Sequence, residues 1–229
     1  IGIRLAKIPS GEITNYPYLK KVAQLFSEVI LSTGMSNMND INKALAILLK
    51  FGVKKENITI LHCNTQYPTL MSDVNLKAML NIQTELDIKI GYSDHTLGIE
   101  VPIAAVALGA IVIEKHFTLD RNLSGPDHKA SLQPNELRSM VKSIRNIEKA
   151  IGNKKKIITN SELKNIKIHK KSIISNKQIK IGDKFTLLNI TTKRPGIGIS
   201  PKLYFNLIGK KSKFNYKKDM IINKLELKD

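Results

Sequence analysis

Apolar residues in the first 150 positions alternate between two textures. Short runs rich in Ile, Leu and Val occur at 5–9, 29–33, 58–62, 88–93 and 111–117. They mostly lack polar alternation, as expected of parallel strands covered on both faces. Between them the spacing is helical. Ile41, Ala44, Leu45, Leu48 and Leu49 follow i, i+3, i+4, i+7, i+8, with Gly52 as a stop. Pro134 opens a further helix with Leu137, Val141, Ile144 and Ile151 as its expected apolar face. The repeating strand–helix unit predicts an α/β fold with a parallel sheet and right-handed crossovers, either open or closed into a barrel.

The texture changes near Gly152. Residues 1–150 read as one domain, 151–167 as a polar linker and 168–229 as a small β-rich domain. Expected strands in the last are 171–175, 185–192 and the segment around Leu207, punctuated by Gly182, Pro195, Gly196, Gly198 and Gly209. No solenoid repeat is visible.

Composition changes this picture in three places. The chain has 229 residues with 37 Lys+Arg against 19 Asp+Glu, a net charge of +18. That charge invites a nucleic-acid surface, but residues 1–150 hold 17 cations and 14 anions, so the excess lies beyond them. Only 5 of the cations are Arg, Trp is absent and aromatics are 5%, a poor supply for groove reading or base stacking. With 33 Ile and 19 Asn, the Lys excess reads as compositional. One Cys excludes a disulfide scaffold and points to a reducing, cytoplasmic location. The uncharged run from Val101 to Ile113 is too short for a membrane span, which needs roughly 20 residues, and no signal peptide is seen.

The strand ends carry the chemistry. In order they supply Lys7 and Ser10-Gly11-Glu12; Ser32-Thr33-Gly34-Met35; His62 to Pro68; Ser93-Asp94-His95-Thr96; and Glu114-Lys115-His116-Phe117-Thr118. Ligands of barrels and open α/β sheets bind at this end of the strands. His95 and His116 occupy equivalent places in successive units. They either share an octahedral divalent ion such as Mn²⁺ or Mg²⁺ or are separately hydrogen-bonded. His62 reads as structural, and His128 and His169 as surface residues. Lys7, a cation inside an apolar strand, needs an anionic partner: Glu114, or a phosphate or carboxylate ligand. Lys115 raises the same question. Hydroxyls of Ser10, Ser32, Thr65 and Ser93 suit phosphate oxygens. Glu12 and Asp127 either bind substrate hydroxyls or act as caps. No phosphate-binding glycine loop supports a nucleotide, and 195–198 reads as a turn.

Seven segments, in order, resemble the sialic acid synthase family: Lys-Ile-Pro-Ser-Gly-Glu (7–12), Ile-Leu-Ser-Thr-Gly-Met (30–35), Leu-His-Cys-Asn-Thr-Gln-Tyr-Pro-Thr (61–69), Gly-Tyr-Ser-Asp-His-Thr (91–96), Glu-Lys-His-Phe-Thr-Leu-Asp (114–120), Ser-Gly-Pro-Asp-His (124–128) and Lys-Arg-Pro-Gly-Ile-Gly (193–198). The resemblance implies strands 4–8 of a (β/α)8 TIM barrel followed by a small antifreeze-like (SAF) domain. The family's first three units and its Asn-His-Asn-Gly segment have no counterpart here. The chain is therefore expected to be an N-terminally truncated fragment, inactive alone.

The implied reaction condenses phosphoenolpyruvate with an N-acyl mannosamine-type sugar and releases phosphate by C–O cleavage. His95 and His116 would hold the metal, Mn²⁺ or Mg²⁺. Lys7, Ser10, Ser32, Thr65 and Ser93 would bind phosphoenolpyruvate, although some family members carry Asn in place of Thr65. Glu12, Tyr67 and Asp127 would face the sugar, with Glu12 counted as catalytic beside the histidines. Arg194 would reach the partner's active site in a head-to-tail homodimer. N-acetylneuraminate is the first-choice product; legionaminate, from a 2,4-diacetamido-6-deoxy sugar, is the alternative. Other readings are a basic nucleic-acid-binding module at 151–229 and a carbohydrate- or ice-binding role for the SAF-like region; the expectation is an enzyme with no nucleic-acid or membrane partner.

Overall fold

In the computed structural model, which describes residues 2–228, the chain divides after Asn153 into two compact units. The first is a curled five-stranded parallel sheet. Its strands are β1 (Leu5–Ile8), β2 (Glu28–Ser32), β3 (Ile58–Cys63), β4 (Lys89–Asp94) and β5 (Ile113–Lys115), paired in chain order. Helices α1 (Tyr16–Leu25), α2 (Met38–Lys50), α3 (Leu76–Leu86) and α4 (Glu100–Ala107) make the crossovers, and α5 (Pro134–Ile151) follows β5.

Local chemistry explains the boundaries. Asn37 accepts from Asn39 and Asp40 N–H while Asp40 bonds back to the cap, so α2 begins in a reciprocal capping box. Past its other end, Gly52 takes φ +115°, where a side chain would be strained. Pro134 and a Gln133/Glu136 capping box open α5.

Ile41, Ala44, Leu45 and Leu48 face the sheet as the spacing predicts, whereas Leu49, expected with them, lies at the edge of the stripe and is exposed. With Leu19 and Val22 of α1, Met79 and Ile82 of α3, and Ile8, Leu31, Ile60 and Ile90 of the strands, the four buried residues form one core. Truncating such a fully buried residue, Leu48→Ala for example, costs about 2–5 kcal/mol. The face of α5 is rotated from the expectation. Met140 and Ile144 are buried in a smaller cluster with Val106 and Leu132, whereas Val141 and Ile151 are 44% and 54% exposed. The helix needs only a narrow stripe against α4, and Met140 lies nearer its centre than Val141.

The second unit departs further from the pattern. Residues 151–167, expected to be a linker, instead contain the start of helix α6 (Asn160–His169), which a Thr159/Glu162 capping box opens within a polar stretch. Strands β6 (Ser172–Ser175) and β7 (Ile190–Lys193) pair antiparallel. The expected strand at 185–192 forms only at its end, because Asn189 and Thr186 close a turn on each other. Around Leu207 the chain is helical instead (α7, Tyr204–Leu207), following a Ser200-capped 3-10 turn. Ile173, Ile179, Phe185, Ile190, Ile199, Leu207, Tyr216 and Ile222 make this unit's own core.

Candidate active site

The five parallel strands end on one side, and their last residues together with those that follow line a cleft of about 280 Å³. Its walls include Lys7, Ser10, Ser32, Thr65, Tyr67, Ser93, His95, Glu114 and His116. The parallel register sets this convergence. Cys63 pairs with Ser93 and Ser93 with Glu114, so successive strands deliver polar side chains at one level. An adjoining cleft of about 330 Å³ shares Met35 and Cys63 but has Met38, Ile41 and Ile82 in its walls. The smaller cleft is the candidate because it gathers the titratable and hydroxyl groups.

Ser32 Oγ is buried and, among the described residues, is the one buried side-chain polar atom with no hydrogen-bond partner. Leaving such a hydroxyl unpaired costs about 1–3 kcal/mol, so it is poised to bond something entering the cleft. Beside it, Ser10 Oγ accepts from Gly34 N–H at 2.9 Å and lies 3.1 Å from Cys63 Sγ. Ser93 Oγ donates to Glu114 Oε1 at 2.8 Å, and Lys7 Nζ is 3.2 Å from Glu114 Oε2. Lys7 is not buried, as its place in an apolar strand suggested. Its side chain is 33% exposed because β1 lies at the sheet edge and its ammonium reaches the open cleft. Glu114 is thus the partner of Lys7, one of the two expected, and it is also a wall of the site that holds Ser93.

His95 and His116 come together, with ring centroids 5.3 Å apart. Burial pushes the His95 pKa down, opposed by its bond to the Asn64 carbonyl and reinforced by His116. His95 is thus neutral at pH 7, and its Nδ1–H donates to Asn64 O at 2.6 Å. That bond leaves Nε2 with a free lone pair, the arrangement of a metal-ligating imidazole. No group of three or more His, Cys, Asp and Glu side chains gathers among the described residues. The pair therefore fits a divalent ion with two protein ligands, the other positions filled by solvent or substrate oxygen. Tyr67 stacks 4.0 Å from His95 and edge-on to His116 at 5.4 Å; its phenol is pushed up, first by burial and then by nearby acidic groups.

Three predicted residues stand apart from these walls. Glu12 lies on the turn after β1, where its carboxylate accepts from Asn15 Nδ2 at 2.6 Å; Asn15 in turn caps α1, so Glu12 here supports a cap. Asp127 sits at the rim, half-exposed, 3.9 Å from His116 Nδ1. Arg194 belongs to the second unit and is exposed just beyond β7. His62 is structural: its Nε2 bonds Val74 O at 3.0 Å. His128, expected to be unpaired at the surface, is half-buried with Nδ1 2.7 Å from Thr118 Oγ1, because the 124–128 loop folds back. Lys115, for which an anionic partner was in question, points away from the histidines into a buried ion pair with Asp94.

Comparison with known proteins agrees with this arrangement. Residues 1–156 match the NeuB family. An N,N'-diacetyllegionaminic acid synthase of Campylobacter jejuni is 54% identical over 97% of this chain and 66% of that protein. The human N-acetylneuraminate-9-phosphate synthase is 37% identical over 92% of this chain and 58% of that one. The structure of an N-acetylneuraminic acid synthetase from Leptospira borgpetersenii superposes with a TM-score of 0.66 and 39% identity, covering 72% of this chain and 57% of its own. A truncated 3-deoxy-D-arabino-heptulosonate 7-phosphate synthase from Thermotoga maritima shares the fold alone, at 20% identity and TM-score 0.54. The chain spans just under two thirds of the length of the curated relatives it matches. With seven motifs in order and a family match over residues 1–156, the chain belongs to the NeuB family of sialic acid synthases.

Proposed function

We propose that this chain carries the phosphoenolpyruvate side of a nonulosonate synthase active site, and that the sugar condensed is a 2,4-diacetamido-6-deoxy mannose-type sugar, giving N,N'-diacetyllegionaminate. The observation that carries the binding role is the unpaired, buried Ser32 hydroxyl in a cleft that also holds Lys7, Ser10 and Ser93. This reading prefers legionaminate, the alternative expected from the sequence, to N-acetylneuraminate, the first choice. Relatives at 54% and 40% identity are both named diacetyllegionaminic acid synthases, and the 37% relative makes a neuraminate phosphate. N-acetylneuraminate stands as the second reading, supported by the Leptospira structure.

In this reading Lys7, Ser10, Ser32, Thr65 and Ser93 hold the phosphate and carboxylate of phosphoenolpyruvate through charge-assisted hydrogen bonds. Lys7 leaves its weak, half-exposed pair with Glu114, a contact worth only about 0–1 kcal/mol, for the ligand's dianion. His95 and His116 would hold Mn²⁺ or Mg²⁺, which would supply Lewis-acid polarisation of the sugar's aldehyde oxygen. C3 of the enol attacks the aldehyde carbon, water adds at C2, and phosphate departs with its bridging oxygen. Glu114, once released by Lys7, is the carboxylate within reach to accept a proton from that water. Tyr67 and Asp127 flank the sugar at the rim, and Glu12 acts only by supporting the turn that carries Ser10. The second unit is the SAF domain, and its Arg194 reaches the sugar's acyl group across a head-to-tail homodimer. Among the described residues no helix is long and apolar enough to cross a membrane.

The test is phosphate release by the intact protein from phosphoenolpyruvate plus each sugar, with Mn²⁺. Faster turnover of the diacetamido sugar is expected. Faster turnover of N-acetylmannosamine selects the second reading, and no release with either refutes both.

A further inference from the structure

Asp94 and Lys115 form the most deeply buried ion pair among the described residues, and no step of the proposed chemistry uses either. Their side chains are 0% and 2% exposed, with Lys115 Nζ 2.5 Å from Asp94 Oδ2. The ammonium also donates to Thr96 O at 2.7 Å. Asp94 Oδ1 accepts from Thr96 N–H at 3.0 Å and from Thr96 Oγ1 at 2.9 Å. The pair is therefore fully bonded, as a buried pair must be to offset its desolvation.

Its place in the chain is what gives it a role. Asp94 immediately precedes His95 and Lys115 immediately precedes His116, and Asp94 is the register partner of Lys115 on neighbouring strands. Successive side chains of a strand point to opposite faces. The pair therefore locks β4 to β5 behind the strand ends, while the next residue of each carries an imidazole to the mouth. Lys115 further ties down the Thr96 carbonyl, closing the turn that follows His95. Buried apolar side chains would join the strands as firmly but without fixing a length, because dispersion is non-directional whereas this bridge has defined contacts.

We infer that Asp94 and Lys115 are positioning residues that set the spacing and orientation of His95 and His116. The inference rests on the reading of those histidines as the metal pair, and it assigns the fixing of the metal site to a bridge between the residues that precede the two ligands.

The test uses the intact protein carrying both Asp94→Asn and Lys115→Met, because either change alone leaves a buried charge unpaired and threatens folding. Three readouts are taken: thermal melting, Mn²⁺ affinity without substrates from the free-ion EPR signal, and the His95 tautomer from ¹H–¹⁵N NMR without metal. The double variant is expected to melt cooperatively, to bind Mn²⁺ about 10-fold or more weakly, and to lose the single Nδ1–H tautomer of His95. Wild-type Mn²⁺ affinity in the folded double variant overturns the inference and makes the pair merely structural. If the unmutated protein binds no Mn²⁺, the metal reading fails by itself. The tautomer then decides: a mixture in the double variant upholds the positioning role, and an unchanged tautomer overturns it. Should the double variant not fold, Lys115→Arg keeps the charges but alters the bridge's length, and it is judged by the same readouts.

Discussion

Replacing Gly34 by Ala tests the cleft with a single carbon. Its φ is ordinary, so the backbone tolerates a side chain. The space does not: a Cβ would lie 2.5 Å from Thr65 Cγ2, 2.9 Å from Ser10 Oγ and 3.2 Å from Cys63 Sγ. Carbon atoms pack at about 3.5–4.0 Å, so Thr65 must retreat by about 1 Å and Ser10 by less. Overpacking of this kind costs about 1–3 kcal/mol. The loss of backbone freedom in the unfolded chain returns about 0.4–1 kcal/mol. A net destabilisation of about 0–2.6 kcal/mol remains, a melting shift of at most roughly 10 °C for a chain of this size. The functional effect is expected to be larger, because Ser10 and Thr65 are proposed ligands of phosphoenolpyruvate. A displacement near 1 Å at a reacting site costs about 100-fold in rate. The assay is phosphate release by the intact protein at varied phosphoenolpyruvate, beside a thermal melt. An Ala variant with unchanged melting temperature and unchanged KM for phosphoenolpyruvate refutes the packing of Thr65 and Ser10 on Gly34.

Other substitutions separate stability from binding. Ser32→Ala removes an unpaired buried hydroxyl, so the free protein should hold or gain up to about 1 kcal/mol while KM for phosphoenolpyruvate rises about 10-fold; a clear loss of stability would falsify the unpaired state. In the second unit, buried Glu226 accepts from Ser212 Oγ, Lys213 N–H and Tyr216 OH. Glu226→Leu leaves these donors stranded and should cost about 3 kcal/mol, read by denaturant unfolding; a shift under about 1 kcal/mol argues against the network. The Tyr216 phenol, pushed up to about 12 mainly by burial with Glu226 adding to it, should titrate lower in Glu226→Gln by ultraviolet difference spectroscopy. Burial pushes the His62 pKa below its usual 6.5, against the pull of the Val74 and Asn75 carbonyls. The unfolded chain then binds the proton more readily, so His62's contribution to stability is present above pH 6.5 and is lost as pH falls below it. Melting curves from pH 7.5 to 5 should show a smaller acid loss in His62→Gln than in the parent; identical losses remove His62 as the cause.

How much was legible in the sequence varies with the physics of each element. β1 to β5 lie within about two residues of their expected positions, because a strand covered on both faces must be apolar throughout and that pattern is local. The α2 stripe and its glycine stop were equally local. Failures cluster where the signal is short or shared. Helix α6 hides in a polar stretch with no buried residue to mark it, only a cap. The segment near Leu207 has the apolar density of a strand, yet forms a short helix because a capped turn precedes it. The pairings of His128 with Thr118 and of Asp94 with Lys115 are illegible in sequence because the partners are 10 and 21 residues away.

Periodicity and residue type were enough for the parallel α/β architecture and for the end of the strands where a site must lie, and the seven motifs carried the family resemblance. None of these needs knowledge of neighbours in space. How those residues act together was set by the folded arrangement. It paired Lys7 with Glu114, left the Ser32 hydroxyl without a partner, turned Glu12 into support for a cap and sank Asp94 and Lys115 beneath the two histidines. Such outcomes depend on strand register and depth of burial, which set distances between residues far apart in the chain. A one-residue slip would turn each side chain to the opposite face.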